Sequence, residues 1–330
     1  MAIKVMLIAN YDLSFLAKQL KSNRWQWDDI NFSIDYDSDV NEIAECDFLI
    51  VINYPTKPIK IRCRKGGAWL FSQEPPDVSN KFHQKSYQYF DRVYQFDKDC
   101  KINSYGYQTA LPWFVTKSYN QLINYNFDVS IKTKRLSWVT SNKNNFQGHR
   151  LRLAFLDKLR KSDVNFDLFG SGFELISNKE DALLPYKYSI AVENASIDDY
   201  WTEKIADCFL SYCMPLYFGA TNICKYFPDG SYVWIDITNP QQAIKKIKQV
   251  IYSDLWLSNL EAIIKARELV LNKYQMFPHI EYLISNSQDI CNNKIITYDI
   301  PKNVKPVGLV KTLKKIGAKF KLFFNRVVHE

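Results

Sequence analysis

Three short segments carry groups suited to holding an anion and moving a proton. In the first, Tyr186-Lys-Tyr-Ser-Ile-Ala-Val-Glu-Asn-Ala-Ser-Ile-Asp-Asp-Tyr-Trp-Thr-Glu-Lys204, an apolar run (Ile190, Ala191, Val192) ends at Glu193-Asn194. A polar turn comes next, and Thr202-Glu203-Lys204 opens a helix whose apolar positions Ile205, Cys208 and Phe209 keep helical spacing. Strand, turn and helix start form a geometry that receives anions, because free N–H groups and the positive end of the helix dipole face outward. Lys204 opposes that dipole, so its charge calls for an anion or a carboxylate nearby; a solvated surface lysine is the plainer alternative. The second segment ends a strand at Ser137-Trp-Val-Thr140, turns at Ser141-Asn142 and enters a helix through Gly148-His-Arg150-Leu-Arg152. Two guanidiniums early on a helix also oppose the dipole, and their planar forks suit phosphate oxygens; pairing to a surface carboxylate is the alternative. The third, Phe71-Ser-Gln-Glu74-Pro-Pro76, sets one carboxylate on a turn stiffened by proline, where it faces either a cleft or water.

Other arrangements fail. Gly170-Ser-Gly172 is the one G-x-G and lacks the third glycine of a dinucleotide fingerprint. Asp35-Tyr-Asp37-Ser-Asp39 starts like a calcium loop, but Val40 stands where glycine is needed and Cys46 where glutamate is. The same Asp35-x-Asp37 is either a metal-binding pair of a GT-A transferase or a solvated turn. Histidines 83, 149, 279 and 329 have no zinc spacing. No metal and no cofactor are expected, so negative charge at a site must meet cationic side chains and helix N-termini.

The elements that position these segments alternate. Ile3–Ile8, Asn31–Tyr36, Phe48–Ile52, Ala68–Phe71 and Arg92–Phe96 read as strands, with Leu13–Lys21 a helix. Further on, Leu136–Thr140, Phe166–Phe169, Ser189–Val192, Pro215–Phe218 and Tyr232–Ile235 are strand candidates. Between them lie helices over Arg150–Arg160, Glu203–Tyr212 and Pro240–Tyr252, the last capped by Asn239. Such alternation predicts an α/β fold with parallel sheets covered by helices on both faces. We expect two doubly wound, Rossmann-like domains, residues 1–130 and 131–300, joined near Tyr119–Lys134 and facing a cleft in which ligands bind at the strands' carboxyl ends.

Composition supports two domains: 330 residues, 47% of them hydrophobic and 15% aromatic. Seven cysteines, no two closer than five positions, form no CxxC motif and read as reduced thiols. The start, Met1-Ala-Ile-Lys-Val-Met-Leu-Ile-Ala, reads as a strand rather than a signal peptide, and no run reaches the ~20 apolar residues of a spanning helix. A cytoplasmic location is therefore expected. The net charge of +8 sits almost wholly in residues 302–330, which hold eight basic and one acidic side chain. There, Leu309, Leu313, Ile316, Phe320, Phe323 and Val327 recur at helical spacing among Lys311, Lys314, Lys315, Lys319 and Arg326. The pattern predicts a basic amphipathic helix over 301–330, lying on an anionic membrane surface or docked on the body with its lysines in water. With the body near neutral and no basic, aromatic-interleaved groove, nucleic acid is not an expected partner.

The first segment and the residues after it resemble the family-ten α-1,3/4-fucosyltransferases, of bacterial type. Val192-Glu193-Asn194, Tyr200-Trp201-Thr202-Glu203-Lys204 and Met214-Pro215-Leu216-Tyr217-Phe218-Gly219 match that family's F-E-N, a tyrosine, V-T-E-K and Y-W/F-G, with Val192 and Trp201 departing. The likeness is strong over roughly 136–235 and weaker over 70–115. It implies a GT-B architecture and an inverting, metal-independent transfer of L-fucose from GDP-β-L-fucose to a glycan hydroxyl. The implied acceptor is an N-acetylglucosamine-containing lipopolysaccharide or surface saccharide, lipid-linked at the inner face of the cytoplasmic membrane. By the same likeness, Glu74 is the general base and Arg152, with Arg150 second, meets the diphosphate beside Lys204 and the Ser141-Asn142 turn. Asn194 and Tyr200 bond phosphate or ribose, Glu203 takes ribose hydroxyls, and Glu193 contacts the sugar or holds the loop. The departures at Val192 and Trp201 leave open a relative using another nucleotide sugar, or a non-catalytic glycan-binding protein of the same fold.

Overall fold

The computed structural model describes residues 2–22, 24–37, 43–76, 82–106, 111–287, 290 and 294–303. The basic tail beyond 303 therefore lies outside the described residues. The first half supplies β1 (Ile3–Ala9), β2 (Gln26–Trp27), β3 (Ile30–Ser33), β4 (Phe48–Ile52), β5 (Ile59–Arg64), β6 (Ala68–Phe71), β7 (Arg92–Tyr94) and β8 (Ser104–Gly106). Seven of them form one sheet in the order β2-β3-β1-β4-β6-β7-β8, parallel except for the β2–β3 pair. The unbroken apolar run of β4 is buried throughout, as a central parallel strand requires. Alternate residues serve opposite faces: Phe48, Ile50, Trp69 and Phe71 enter one core, Leu49, Val51, Ala68 and Leu70 another.

The second core departs from the expectation of a helical cover. Ile59, Ile61 and Cys63 of β5 point into it while Lys60 and Arg62 face out. The partner of β5 is β14 (Ile295–Ile300), antiparallel to it, so a two-stranded ribbon covers this face. The expected helix over 13–21 is a 3-10 turn, Ser14–Gln19.

After α1 (Tyr119–Ile123), the second half builds β9 (Lys134–Val139), β10 (Asp167–Phe169), β11 (Tyr186–Val192), β12 (Met214–Phe218) and β13 (Val233–Trp234) into an all-parallel sheet. Its order is β10-β9-β11-β12-β13. Between the strands run α2 (Gln147–Arg160) and α3 (Glu203–Leu210), and α4 (Pro240–Ile251) follows β13, capped by Asn239 accepting from the Gln242 amide. Strands β9 and β11 are neighbours whose chains leave in opposite directions along the sheet, β9 toward β10 and β11 toward β12. That is a topological switch point, where a crevice opens beyond the carboxyl ends. The residues there are Thr140-Ser141-Asn142 and Glu193-Asn194.

The chain then returns to the first half. After α5 (Leu255–Ser258) and α6 (Leu260–Leu269), a π-helical turn at Val270–Tyr274 leads into α7 (Met276–Ser285). Phe277 of α7 packs against Phe32 at 4.9 Å and against Trp25 and Trp27 at 6.4 Å. The Trp27 indole donates to Glu281 at 3.0 Å. Met276–Ser285 and Ile295–Ile300, grouped by sequence with the second domain, thus pack with the first, because their apolar faces find partners on β2, β3 and β5. Replacing the fully buried Phe277 by alanine should cost about 3–5 kcal/mol. Urea unfolding followed by tryptophan fluorescence would measure it; a midpoint equal to that of the parent would contradict this anchoring role.

Candidate active site

Between β11 and α3 one buried carboxylate sets the loop. Glu193 is 1% exposed. It accepts from the Thr202 amide at 2.7 Å, from the Thr202 hydroxyl at 2.9 and 2.8 Å, and from the Lys204 ammonium at 3.0 Å. Thr202 is also the N-cap of α3, its hydroxyl accepting from the Lys204 amide and, at 2.9 Å, from the Lys204 ammonium. Glu203, half-buried, lies 3.4 Å from the same ammonium. Burial raises the Glu193 carboxyl above its ordinary range. Burial also works against the Lys204 ammonium, but Glu193 and Glu203 more than offset it and hold Lys204 protonated. Gly219 makes room for this: a Cβ there would lie 2.2 Å from the Tyr217 hydroxyl and 2.5 Å from Glu193 Cγ. The loop before α3 is strained and over-determined, with Asp199 at φ +68° bonded by Asn222 at 2.7 Å and Tyr226 at 2.8 Å.

Beside it, Arg152 of α2 is 4% exposed and turns its guanidinium toward the chain leaving β9. It donates to Asn194 Oδ1 at 3.0 Å and to the Ser141 carbonyl and hydroxyl at 3.1 and 3.3 Å, so it fastens the two strand ends across the switch point. Its Nε has no partner among the described residues. Gly148 lets the helix start that close: a Cβ would sit 1.7 Å from the Asn194 carbonyl oxygen. Arg150, by contrast, is exposed and reaches the Asn144 carbonyl at 3.4 Å, while Asn142 is exposed with its amide bonded to Ser171 at 3.0 Å. The rejected G-x-G proves structural, since Gly170 and Gly172, both at positive φ, let the turn pack on Thr140 and Asn142.

His149 reports the field here. Burial, then Arg152, Lys143, Lys204 and Arg150, push its imidazole down to about 4. Four cations around one neutral ring mark a region of positive potential, suited to an anionic ligand.

The first half supplies the opposite wall. Glu74 is exposed on the turn after β6. Beneath it the Gln73 amide donates to Asn53 at 2.9 Å, Asn53 bonds Asn10 at 2.9 Å, and Ser72 shares a 2.6 Å hydrogen bond with His83. Tyr200 is 2% exposed, its ring edge-on to Phe96 at 5.0 Å across the two halves. Burial, with the charges of Glu193, Glu74 and Glu203, pushes its hydroxyl well above the usual phenol range. Glu74 therefore acts electrostatically on a residue of the second half's loop. Lys98 to Asp198 at 2.8 Å and the Phe114 amide to Asp207 at 3.0 Å tie the walls together. Asp207, fully buried on α3, is neutralised by Lys179 at 2.6 Å.

The structure thus brings together Ser141, Arg152, Asn194, Glu193, Glu203, Lys204 and Tyr200, sets Glu74 opposite, and leaves Arg150 and Asn142 at the rim. Sequence reasoning gave no functional role to Thr202, Gly148, His149, Lys179 or Asp207. The N-cap signature before Glu203 was the available signal for Thr202; Lys179 and Asp207 had none, being distant in sequence. Val192 and Trp201, the two departures from the fucosyltransferase pattern, are both core: Val192 pairs with Phe218 in the sheet, and Trp201 packs on Phe227 at 5.1 Å and on Tyr226 and Tyr274 at 5.6 Å. Among the described residues, no group of three or more His, Cys, Asp or Glu could hold a metal ion.

Residues 129–255 match the family model described as glycosyltransferase family 10 (fucosyltransferase) C-term. The mouse 4-galactosyl-N-acetylglucosaminide 3-alpha-L-fucosyltransferase 9 is 27% identical over 190 residues, covering 55% of this chain and 48% of its own length. An alpha-(1,3)-fucosyltransferase of Helicobacter pylori is 36% identical over 74 residues, 22% of this chain and 16% of that one. The mammalian match therefore spans about half the length of those relatives. In three dimensions, an alpha1,3-fucosyltransferase crystallised with GDP-fucose superposes with a TM-score of 0.51 at 18% identity, over 89% of this chain and 91% of that one. An alpha-glucosyltransferase with UDP and a 13-mer DNA gives 0.52 at 11%, over 87% and 100%. These two likenesses establish the GT-B fold, and the sequence matches make residues 129–255 similar to the C-terminal domain of the family-10 fucosyltransferases.

Acid should reveal His149. Because its folded value lies below the ordinary 6.5, the unfolded chain takes up a proton that the folded chain refuses, and stability falls as pH drops from 6.5 toward 4. Between about pH 7 and pH 5 this amounts to roughly 2 kcal/mol. Urea unfolding of His149→Gln should show an acid loss smaller by that amount; an identical loss in both proteins would rule the assignment out.

Proposed function

We propose that this chain, whose residues 129–255 match the family-10 fucosyltransferase C-terminal model, moves L-fucose from GDP-β-L-fucose to a hydroxyl of a glycan, with inversion and without an essential metal. The observation that carries the reading is the pairing of a cationic crevice at the β9–β11 switch point with a carboxylate, Glu74, on the facing wall. Transfer breaks the bond between the anomeric carbon and the diphosphate oxygen, and leaving-group charge grows as it breaks. Arg152 and Lys204, with the amide ends of α2 and α3, meet that charge, the largest electrostatic task of the step. All three donors of Lys204 are engaged in this structure. The longest contact, to Glu203 at 3.4 Å, is the one a phosphate oxygen replaces, which frees Glu203 to accept from ribose hydroxyls. Asn194, held by Arg152, and the Ser141-Asn142 turn complete the donor side. The Tyr200 hydroxyl stays protonated and is a donor.

On the other side, Glu74 takes the acceptor's proton as the hydroxyl oxygen attacks the anomeric carbon. The new carbon–oxygen bond forms as the old one breaks, GDP carries away the electron pair, and no covalent enzyme intermediate is required. A positioned base of this kind is worth about 10²–10⁴-fold. Val192 and Trp201 are buried in the core, so neither departure adds a side chain to the crevice, and the fucose reading stands without them. For the tail, residues 304–330, we propose a basic amphipathic helix that holds the protein to the anionic inner face of the cytoplasmic membrane, where a lipid-linked acceptor is presented.

Glu74→Gln should lower fucosyl transfer by about 10²–10⁴-fold while GDP binding by calorimetry stays near the parent value, whereas Arg152→Ala should weaken GDP itself. Transfer that survives Glu74→Gln intact, or that a chelator abolishes, would overturn the mechanism; heat from another nucleotide sugar but none from GDP-fucose would replace the donor. Removing residues 304–330 should release the protein from phosphatidylglycerol vesicles and leave turnover of a soluble acceptor in place. Continued co-sedimentation would refute the membrane role.

A further inference from the structure

Asp35, the first residue of the failed calcium-loop pattern, borders a cavity of about 320 Å³ at the carboxyl ends of β1 and β3. Leu13, Ile34 and Ile59 line it with aliphatic surface, and Asp12, Asp35 and Lys57 bring charge to the same lining. Asp12 is already bonded by the Ser14 amide at 2.9 Å and hydroxyl at 2.7 Å. Asp35 and Lys57 are exposed and free of hydrogen bonds and ion pairs among the described residues.

One wall is Tyr11, which links this cavity to the candidate active site. Its hydroxyl donates to Gln73 at 3.2 Å, the residue next to Glu74. On its far side Tyr11 meets Phe15 at 6.3 Å, and Phe15 stacks on Phe114 at 5.7 Å and 18°. Phe114 is 46% exposed, and its amide is the one bound to Asp207 on α3. An aromatic strip therefore runs from the cavity to Phe114, whose amide meets α3 of the second half, with the Glu74 turn beside the strip's first ring.

Such a surface matches a saccharide. Apolar C–H faces of a pyranose lie against rings and aliphatic side chains, while its hydroxyls donate to carboxylates that cannot donate in return. Two carboxylates against one ammonium disfavour an acidic sugar. The volume, at the lower end of ligand pockets, holds one or two rings.

We propose that this cavity is a remote acceptor subsite, which takes a neutral sugar residue at least one unit away from the residue that presents its hydroxyl to Glu74. The assignment deepens the transfer reaction proposed above and rests on it. The test uses galactosyl-β1,4-N-acetylglucosamine and its tandem tetrasaccharide as probes, on the full chain and on Asp35→Ala and the cavity-filling Thr56→Trp. The ratio of kcat/KM for tetrasaccharide over disaccharide should fall about ten-fold in each variant, through KM. Saturation-transfer NMR without donor should show the tetrasaccharide's remote sugars contacting the parent protein, with those signals lost in Thr56→Trp. An unchanged ratio, or remote-sugar signals that are absent from the parent or survive the filling, overturns the subsite. Calorimetry with GDP separates the two readings: if GDP gives no heat, the reaction falls, while variant-sensitive tetrasaccharide signals still support the sugar site.

Discussion

Glu193 leaves the end of β11 with almost no contact with water, and a carboxylate so placed is tolerable only while Thr202 and Lys204 satisfy it. Removing one partner of a buried pair leaves an uncompensated charge, at about 3–5 kcal/mol. This single requirement fixes much else. It sets the start of α3, because Thr202 caps the helix and bonds the carboxylate with the same hydroxyl. It holds Lys204 charged at a helix end where the dipole alone would disfavour it. It also goes with a glycine at 219, where a side chain would collide with the Tyr217 hydroxyl and Glu193 Cγ. The strained Asp199 and the buried Trp201 brace the loop between, so the ammonium is held in place before any ligand arrives.

Sheet topology does the rest. In the second half, β9 and β11 send their chains apart, and the crevice so opened is spanned by Arg152, which grips both strand ends. Gly148 permits the close approach of α2 to the Asn194 backbone, without which the guanidinium would stand too far from Ser141. In the first half, Asn10, Asn53 and Gln73 link the ends of β1, β4 and β6 into a hydrogen-bonded row that carries Glu74 at its edge. Each sheet thus presents its carboxyl ends to the other, one with an excess of cations and the other with a carboxylate. That opposition is the electrostatic arrangement a group transfer with an anionic leaving group needs.

Aromatic residues serve two purposes that composition could not separate. Trp201, Trp69 and Trp113 are core. Phe96 with Tyr200, and Phe15 with Phe114, lie instead along the cleft, where they join the halves or present a face to it.

Features that depend on local order are legible in the chain alone: the parallel strands through their apolar runs, α4 through its Asn239-Pro240 start, and the strand–turn–helix segment from Tyr186 to Lys204. Spacing within a known pattern also distinguishes Arg152 as the arginine to watch. Properties that arise between distant segments needed the folded protein. Pairing of β5 with β14 joins residues more than 200 positions apart, and no local periodicity specifies a partner at that range. Lys204's first partner, the burial of Val192 and Trp201, the neutralisation of Asp207 by Lys179 and the aromatic strip ending at Phe114 are likewise products of packing. A residue type states which charge or ring is available; the field and the neighbours that give it a role come from the folded chain.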